Sequence, residues 1–198
     1  PDDDGDYKSP EGNYTKVAPG SKPLGVIALA DAIKNNRALT SLHVGNNNIP
    51  VENMNEIIAI VEAKPAMKVL CAVPFRDKTV TELDVSGQSL GGEGALVISR
   101  YLENNGALVS LDISNNSIAI EDMKDIITIV EAKPKMNLLC AIPFCDKTIT
   151  ELDVSGQSLG VEGALVIRRY VENNGAMTSL NISNNKLFDD DGAPAGKA

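Results

Sequence analysis

Apolar residues recur along this chain in a short figure in which three aliphatics at i, i+3 and i+5 are followed by an asparagine and one more aliphatic. It reads Leu39, Leu42, Val44, Asn47, Ile49, then Leu108, Leu111, Ile113, Asn116, Ile118, then Met177, Leu180, Ile182, Asn185, Leu187. Successive copies stand 69 residues apart. Between them, Val80, Leu83, Val85, Gln88, Leu90 and Ile149, Leu152, Val154, Gln157, Leu159 repeat the figure with glutamine in place of asparagine. Weaker copies, Met67-Leu70-Ala72 and Met136-Leu139-Ala141, divide each 69-residue block into steps of 28, 13 and 28 residues. The alternation around each central leucine predicts a short strand with one face inward. Repetition on this scale predicts a stacked array, because one such unit cannot bury its apolar face alone.

Each 28-residue step also holds a helical stretch. Residues 94–102 place apolar side chains on one face and stop at Asn104-Asn105-Gly106, where glycine tolerates left-handed backbone. Their twin runs from Gly163 to Val171, and Pro23 to Ile33 reads similarly. Val51 to Ala63 and Glu121 to Ala132 form another pair, each halted by Lys-Pro. The repeating order is strand, then helix.

These residues resemble the leucine-rich repeats of the ribonuclease-inhibitor-like subclass. The 28-residue unit and the helix opening Leu90-Gly91-Gly92-Glu93-Gly94-Ala95 carry the likeness, which covers about Pro23 to Leu187. It implies an α/β solenoid: a curved parallel sheet of about seven strands on the concave face, helices on the convex face, and an asparagine ladder bonded to the loop backbone. Gln88 and Gln157 depart from the pattern, so the ladder is expected to be interrupted or bridged there.

The 13-residue steps depart further, since Pro74-Phe75-Arg76-Asp77-Lys78 and Pro143-Phe144-Cys145-Asp146-Lys147 cannot hold a helix. Two geometries fit. Residues 67–73 form either a parallel strand with a short return or an antiparallel hairpin with 80–85; a return of about nine residues, roughly 3.3 Å each, spans the layer and favours the first. Residues 1–22 read as an acidic tail and a β-hairpin cap over 7–17, residues 23–187 as the solenoid, and 188–198 as an acidic, small-residue tail.

Charge narrows the partners. A net charge of -9 and a pI near 4.6 disfavour phosphate backbones and anionic lipid, which attract lysine and arginine clusters. No apolar run approaches 18 residues and no secretory leader is evident, so a soluble protein of a reducing compartment, most simply the cytoplasm, is expected. Buried thiols are expected rather than a Cys140–Cys145 bridge.

Strand alternation sends two columns outward. The first is Ser41, Val69, Glu82, Ser110, Leu138, Glu151, Ser179, and the second is His43, Cys71, Asp84, Asp112, Cys140, Asp153, Asn181. Five carboxylates beside Val69, Leu138, Cys71 and Cys140, with no arginine, read either as a solvated sheet face or as a dock for a basic or mixed basic and apolar protein. Chemistry has little support. His43 is the sole histidine, so no histidine triad can form; Cys145 has no histidine to activate it; Asp2-Asp3-Asp4-Gly5-Asp6 lacks the EF-hand spacing; and Gly91-Gly92-Glu93-Gly94 has no following lysine for a phosphate loop. The expectation is a non-catalytic protein-interaction module or scaffold, without cofactor or metal. The alternatives are a structural subunit of a large assembly and a regulator of another enzyme, such as a small GTPase or nuclease.

Overall fold

The computed structural model describes residues 24–187. The hairpin cap expected over 7–17 and both acidic tails lie outside the described residues. In chain order the elements are α1 (Leu24–Asn35), β1 (Ser41–Leu42), α2 (Val51–Glu62), β2 (Val69–Leu70), β3 (Glu82–Asp84), α3 (Gly91–Asn104), β4 (Ser110–Asp112), α4 (Ile120–Glu131), β5 (Leu138–Leu139), β6 (Glu151–Asp153), α5 (Gly160–Asn173) and β7 (Ser179–Asn181). The central leucines inside the stack turn inward, with Leu111 1% exposed and Leu139 fully buried, whereas Leu180 of the last strand is 37% exposed. Facing them are the apolar stripes of the helices, such as Met54, Ile57 and Val61 of α2 and Met123, Ile126 and Val130 of α4. One continuous core runs through the stack.

The strands fall into three parallel ladders, β1-β2, β3-β4-β5 and β6-β7. Their register is the one the repeat dictates, with Ser41 beside Val69, Leu83 beside Leu111, and Ser110 beside Leu138. The helix-free steps supply β2 and β5, each parallel to the strand before it, so the antiparallel pairing of 67–73 with 80–85 does not occur. The reversal happens inside the segment. Leu70 and Val73 exchange two backbone hydrogen bonds of 3.0 and 2.9 Å across Cys71 and Ala72, whose φ values are 46° and 61°. Leu139 and Ile142 do the same across Cys140 and Ala141, at φ 48° and 60°. Two residues with positive φ make a mirror-image turn of the kind that usually takes Asn-Gly. The turn uses the backbone groups of Leu70 and Leu139 on themselves. Hence no ladder joins β2 to β3 or β5 to β6.

The return from each turn is tied to the following helix. Tyr101 Oη donates to the Asp77 carbonyl at 2.8 Å, and Asn105 Nδ2 donates to the Val80 carbonyl at 3.1 Å. Tyr170 and Asn174 repeat these bonds to Asp146 and Ile149. In the first block Arg76 also donates to the carbonyls of Val61, Glu62, Lys64 and Met67, closing the C-terminal end of α2 with a positive charge. Cys145 stands at the equivalent position of the second block and is exposed. Across each missing helix an ion pair spans the neighbours that remain: Arg100 to Glu62 at 3.2 Å, and Arg169 to Glu131 at 2.8 Å.

Because the short steps turn back early, the loop layer contains only the long repeats, and their loops lie directly against one another. They are joined alternately by amides and by carboxylates. Asn116 Oδ1 accepts from the backbone of Gln88 and Leu90 while its Nδ2 donates to the Val85 carbonyl; Asn185 repeats this with Gln157, Leu159 and Val154. Where glutamine interrupts the asparagine pattern, the next helix sends back a glutamate. Glu93, 3% exposed, accepts from the backbone N–H groups of Asn46, Asn47 and Ile49 at 3.1, 3.2 and 2.6 Å. Glu162, 2% exposed, accepts from Asn115, Asn116 and Ile118 at 3.1, 3.1 and 2.9 Å. The first of these approaches leaves no room for a side chain at Gly45, where a Cβ would lie 2.5 Å from the Ser89 carbonyl oxygen; the second block holds Ser114 at the equivalent position.

Removing either carboxylate strands three N–H groups, held in part-buried bonds at Glu93 and in part-buried to buried bonds at Glu162. Charge-assisted hydrogen bonds contribute about 1.5–3 kcal/mol each and an unsatisfied buried donor costs about 1–3 kcal/mol, so Glu93→Ala and Glu162→Ala should each destabilise by roughly 3–5 kcal/mol in urea unfolding. Glu151→Ala, on the exposed strand face, should change stability by less than about 0.5 kcal/mol. Equal effects of the three substitutions would refute the stitching role.

Candidate interaction surface

The outward face of the strands gathers most of the residues that alternation places there. Glu82, Asp84, Glu151 and Asp153 are exposed, while Asp112, Val69 and Leu138 are half-buried. In the ladder, Asp84 stands beside Asp112, Asp153 beside Asn181, and Leu138 beside Ser110. The result is an acidic strip with an apolar residue where each short step inserts its strand.

Cys71 and Cys140 are the correction. Both are fully buried, so neither belongs to the outward column. Alternation fails because these residues stand one position beyond β2 and β5, where φ has already turned positive and the side chain swings inward. Burial pushes both thiols up in pKa, Cys140 to about 12, with proximity to Asp112 and Glu162 adding to the rise. A thiol so raised is not a nucleophile at neutral pH. The expected buried thiol holds for these two, whereas Cys145 is exposed and all three cysteines are free.

The second-column aspartates hold the chain as well as face outward. Asp84 Oδ1 accepts from the backbone N–H and the hydroxyl of Ser86 at 2.9 and 2.7 Å, and Asp153 does the same with Ser155. Asp112 accepts from the Ser114 backbone at 2.9 Å. The bonds from Ser86 and Ser155 hold the Asp84 and Asp153 carboxyls below their usual range, so each stays ionised through neutral pH. One oxygen thus fastens the strand end and the other is left to the surface, except that Asp153 Oδ2 also accepts from Asn181 at 3.0 Å. Glu82 and Glu151 have no hydrogen-bond partner among the described residues and are the free carboxylates of the strip. His43 is exposed and bridges two loops: its Nδ1 accepts from the Gly45 N–H at 3.2 Å and its Nε2 lies 3.0 Å from the Gln88 carbonyl. Among the described residues no group of three or more metal-ligating side chains converges, and no helix is long and apolar enough to cross a membrane.

A family model described as Leucine Rich repeat matches residues 176–195. That segment is similar to a leucine-rich repeat. The match begins on the copy headed by Met177, which recurs 69 residues upstream at Leu108 and again at Leu39. A Rho GTPase-activating protein from Dictyostelium discoideum, gacW, is 23% identical over 153 residues, which make up 77% of this chain and 13% of that protein. The chain therefore spans a small part of that relative's length. Among solved structures, the chain is similar to a Caenorhabditis elegans tropomodulin C-terminal domain, at 13% identity and a TM-score of 0.29 over 80% of this chain and 82% of that one. It is also similar to actin-binding site 2 of leiomodin-1, at 14% identity and a TM-score of 0.33 over 77% and 76% of the two chains.

Sequence reasoning missed Glu93 and Glu162 as structural carboxylates. The available signal was the coincidence of a glutamine in the asparagine position with a glutamate five residues later, in Gln88/Glu93 and Gln157/Glu162. A thiol-reactive probe should modify one cysteine rapidly in the native protein and all three after denaturation. Cys145→Ser should abolish the rapid phase; rapid native labelling of the remaining two would contradict their burial.

Proposed function

We propose that this leucine-rich-repeat chain is a non-catalytic protein-interaction module, a curved solenoid of the ribonuclease-inhibitor-like kind that binds a basic or mixed basic and apolar protein on its strand face. The observation that carries the reading is the β3-β4-β5 ladder, which sets the exposed Glu82 and Asp84 of β3 in one sheet with the half-buried Leu138 of β5. Acids alone keep a surface hydrated; acids around an aliphatic give a partner both a charge to meet and apolar area to cover. The free oxygens of Glu82 and Glu151 can accept from lysine or arginine without disturbing the fold, unlike the loop-stitching glutamates. Steering by a chain of charge -9 favours a cationic partner and makes its capture salt-dependent.

A second reading, regulation of a small GTPase, is motivated by the Rho GTPase-activating relative. It requires the chain to alter GTP hydrolysis in a panel of small GTPases, and unchanged hydrolysis across the panel removes it.

Affinity capture from cell extract followed by mass spectrometry tests the main reading. Changing Glu82 and Glu151 to lysine should leave the unfolding temperature within a few degrees of wild type and abolish capture of the specific partners. Leu138→Glu should weaken capture by roughly tenfold or more, as expected for losing about 1.4 kcal/mol of apolar contact. Retention of every partner by both variants would move the binding site off the strand face.

A further inference from the structure

Where α1 and α2 end side by side they leave a groove of about 430 Å3. Ile60, Pro65 and Ala66 give it apolar surface, and Lys34, Arg37 and Lys64 are its charged residues. No carboxylate lines it. Glu62, next to it in sequence, is turned to Arg100 of α3 at 3.2 Å, and among the described residues none of the three cations enters an ion pair. Lys64 is half-buried and fixed, its Nζ donating to the Lys34 carbonyl at 2.9 Å. That bond uses one of three ammonium protons and leaves the charge facing the groove unneutralised. The exposed side chains of Lys34 and Arg37 have no acceptor among the described residues.

The duplication separates what the fold needs from what this groove adds. Lys133, the equivalent of Lys64, likewise closes a helix end, donating to the Asn105 carbonyl at 3.0 Å. The equivalents of Lys34 and Arg37 are Glu103 and Gly106. Glu103 lines a groove with Ile129, the equivalent of Ile60, and there the charged residues are Asp122 and Asp125 besides Glu103 itself. One fold thus carries the same helix-end site with opposite charge in its two blocks, so Lys34 and Arg37 are not required for packing.

We propose that the α1/α2 groove binds a short acidic segment of another protein, its carboxylates meeting Lys34, Arg37 and Lys64 and an aliphatic side chain between them resting on Ile60 and Pro65. Charge selects the class of occupant. Arg37 offers a guanidinium fork that fits a carboxylate, and no acid of this chain lines the groove to compete for it. Duplex nucleic acid, with one charge per about 1.7 Å, would extend past three cations onto a chain of net charge -9, whereas a peptide keeps its negative charge within the groove. Apolar surface selects among acidic peptides, since carboxylates alone would leave Ile60 and Pro65 wet. The strand face shares no residue with this groove, so binding here stands or falls separately from partner capture there.

Fluorescence anisotropy with a labelled pentapeptide, two glutamates on each side of a central leucine, tests the proposal on the full chain at about 0.15 M salt. Wild type should bind with a Kd of about 100 µM, weakened at least about tenfold when glutamines replace the glutamates and about threefold or more when glycine replaces the leucine. K34E/R37G, which installs the residues of the second block, should weaken binding at least about tenfold with melting unchanged. K124E/R168E removes more positive charge from a distant helix pair and should stay within about threefold of wild type. No binding up to about 1 mM, indifference to K34E/R37G, an equal loss in K124E/R168E, or equal binding of the glutamine peptide or a five-nucleotide oligonucleotide would each overturn the proposal. Binding that appears only after residues 1–7 are removed would also overturn it, assigning the groove to the chain's own acidic run Asp2-Asp3-Asp4-Gly5-Asp6.

Discussion

The architecture depends on a hydrogen-bonding obligation in the loops that connect strands to helices. Those loops turn sharply between strand and helix, and the N–H groups that they turn away from water must find acceptors. A uniform asparagine ladder would satisfy them one repeat at a time. Here the obligation is met by two devices in alternation: Asn116 and Asn185 face upstream with an amide, and Glu93 and Glu162 reach back from the first turn of the following helix with a carboxylate. A carboxylate accepts only, which suits it to a site offering three donors and no acceptor. Placing it at a helix N-terminus adds the favourable end of the helix dipole.

The truncated repeat makes this alternation necessary. Each short step adds a strand to the sheet layer but turns back at Cys71-Ala72 or Cys140-Ala141 before it can add a loop or a helix. Three layers that would share one period are thereby decoupled. The strand layer gains a member, the loop layer closes over the gap and is sewn by glutamate, and the helix layer keeps the gap and spans it with an Arg–Glu pair. The same event interrupts the sheet into three ladders and sets an aliphatic among the acids of the strand face.

Two surfaces of different character result. The strand face is anionic at β3, β4 and β6, where Glu82 and Asp84 recur as Glu151 and Asp153, while β1 has His43 in the position that Asp112 takes in β4. The helix face differs between the blocks: Lys124 and Arg168 in the second replace Asn55 and Ser99 in the first. Between the duplicated blocks, changes of charge fall on exposed positions such as Lys124 and Arg168, while Cys145 stands, exposed, where Arg76 closes a helix end.

The period of the apolar figure by itself determined the strand and helix order, the inward residues such as Leu83, Leu111 and Leu152, and the outward register that aligns Glu82, Ser110 and Leu138. Those properties follow from side-chain alternation and from the need to bury a shared face, both local rules applied repeatedly. Cys71 and Cys140 escaped the same reasoning because a single residue of positive φ at a strand end reverses the side chain's direction, and nothing in a cysteine announces it. The parallel placement of the short steps, the breaks between β2 and β3 and between β5 and β6, and the loop-stitching role of Glu93 and Glu162 were decided only by the tertiary structure. Each joins groups distant in sequence, 47 residues in the case of Asn46 and Glu93. Such contacts depend on which layers close and which stay open, and that is a property of the packed stack rather than of any segment.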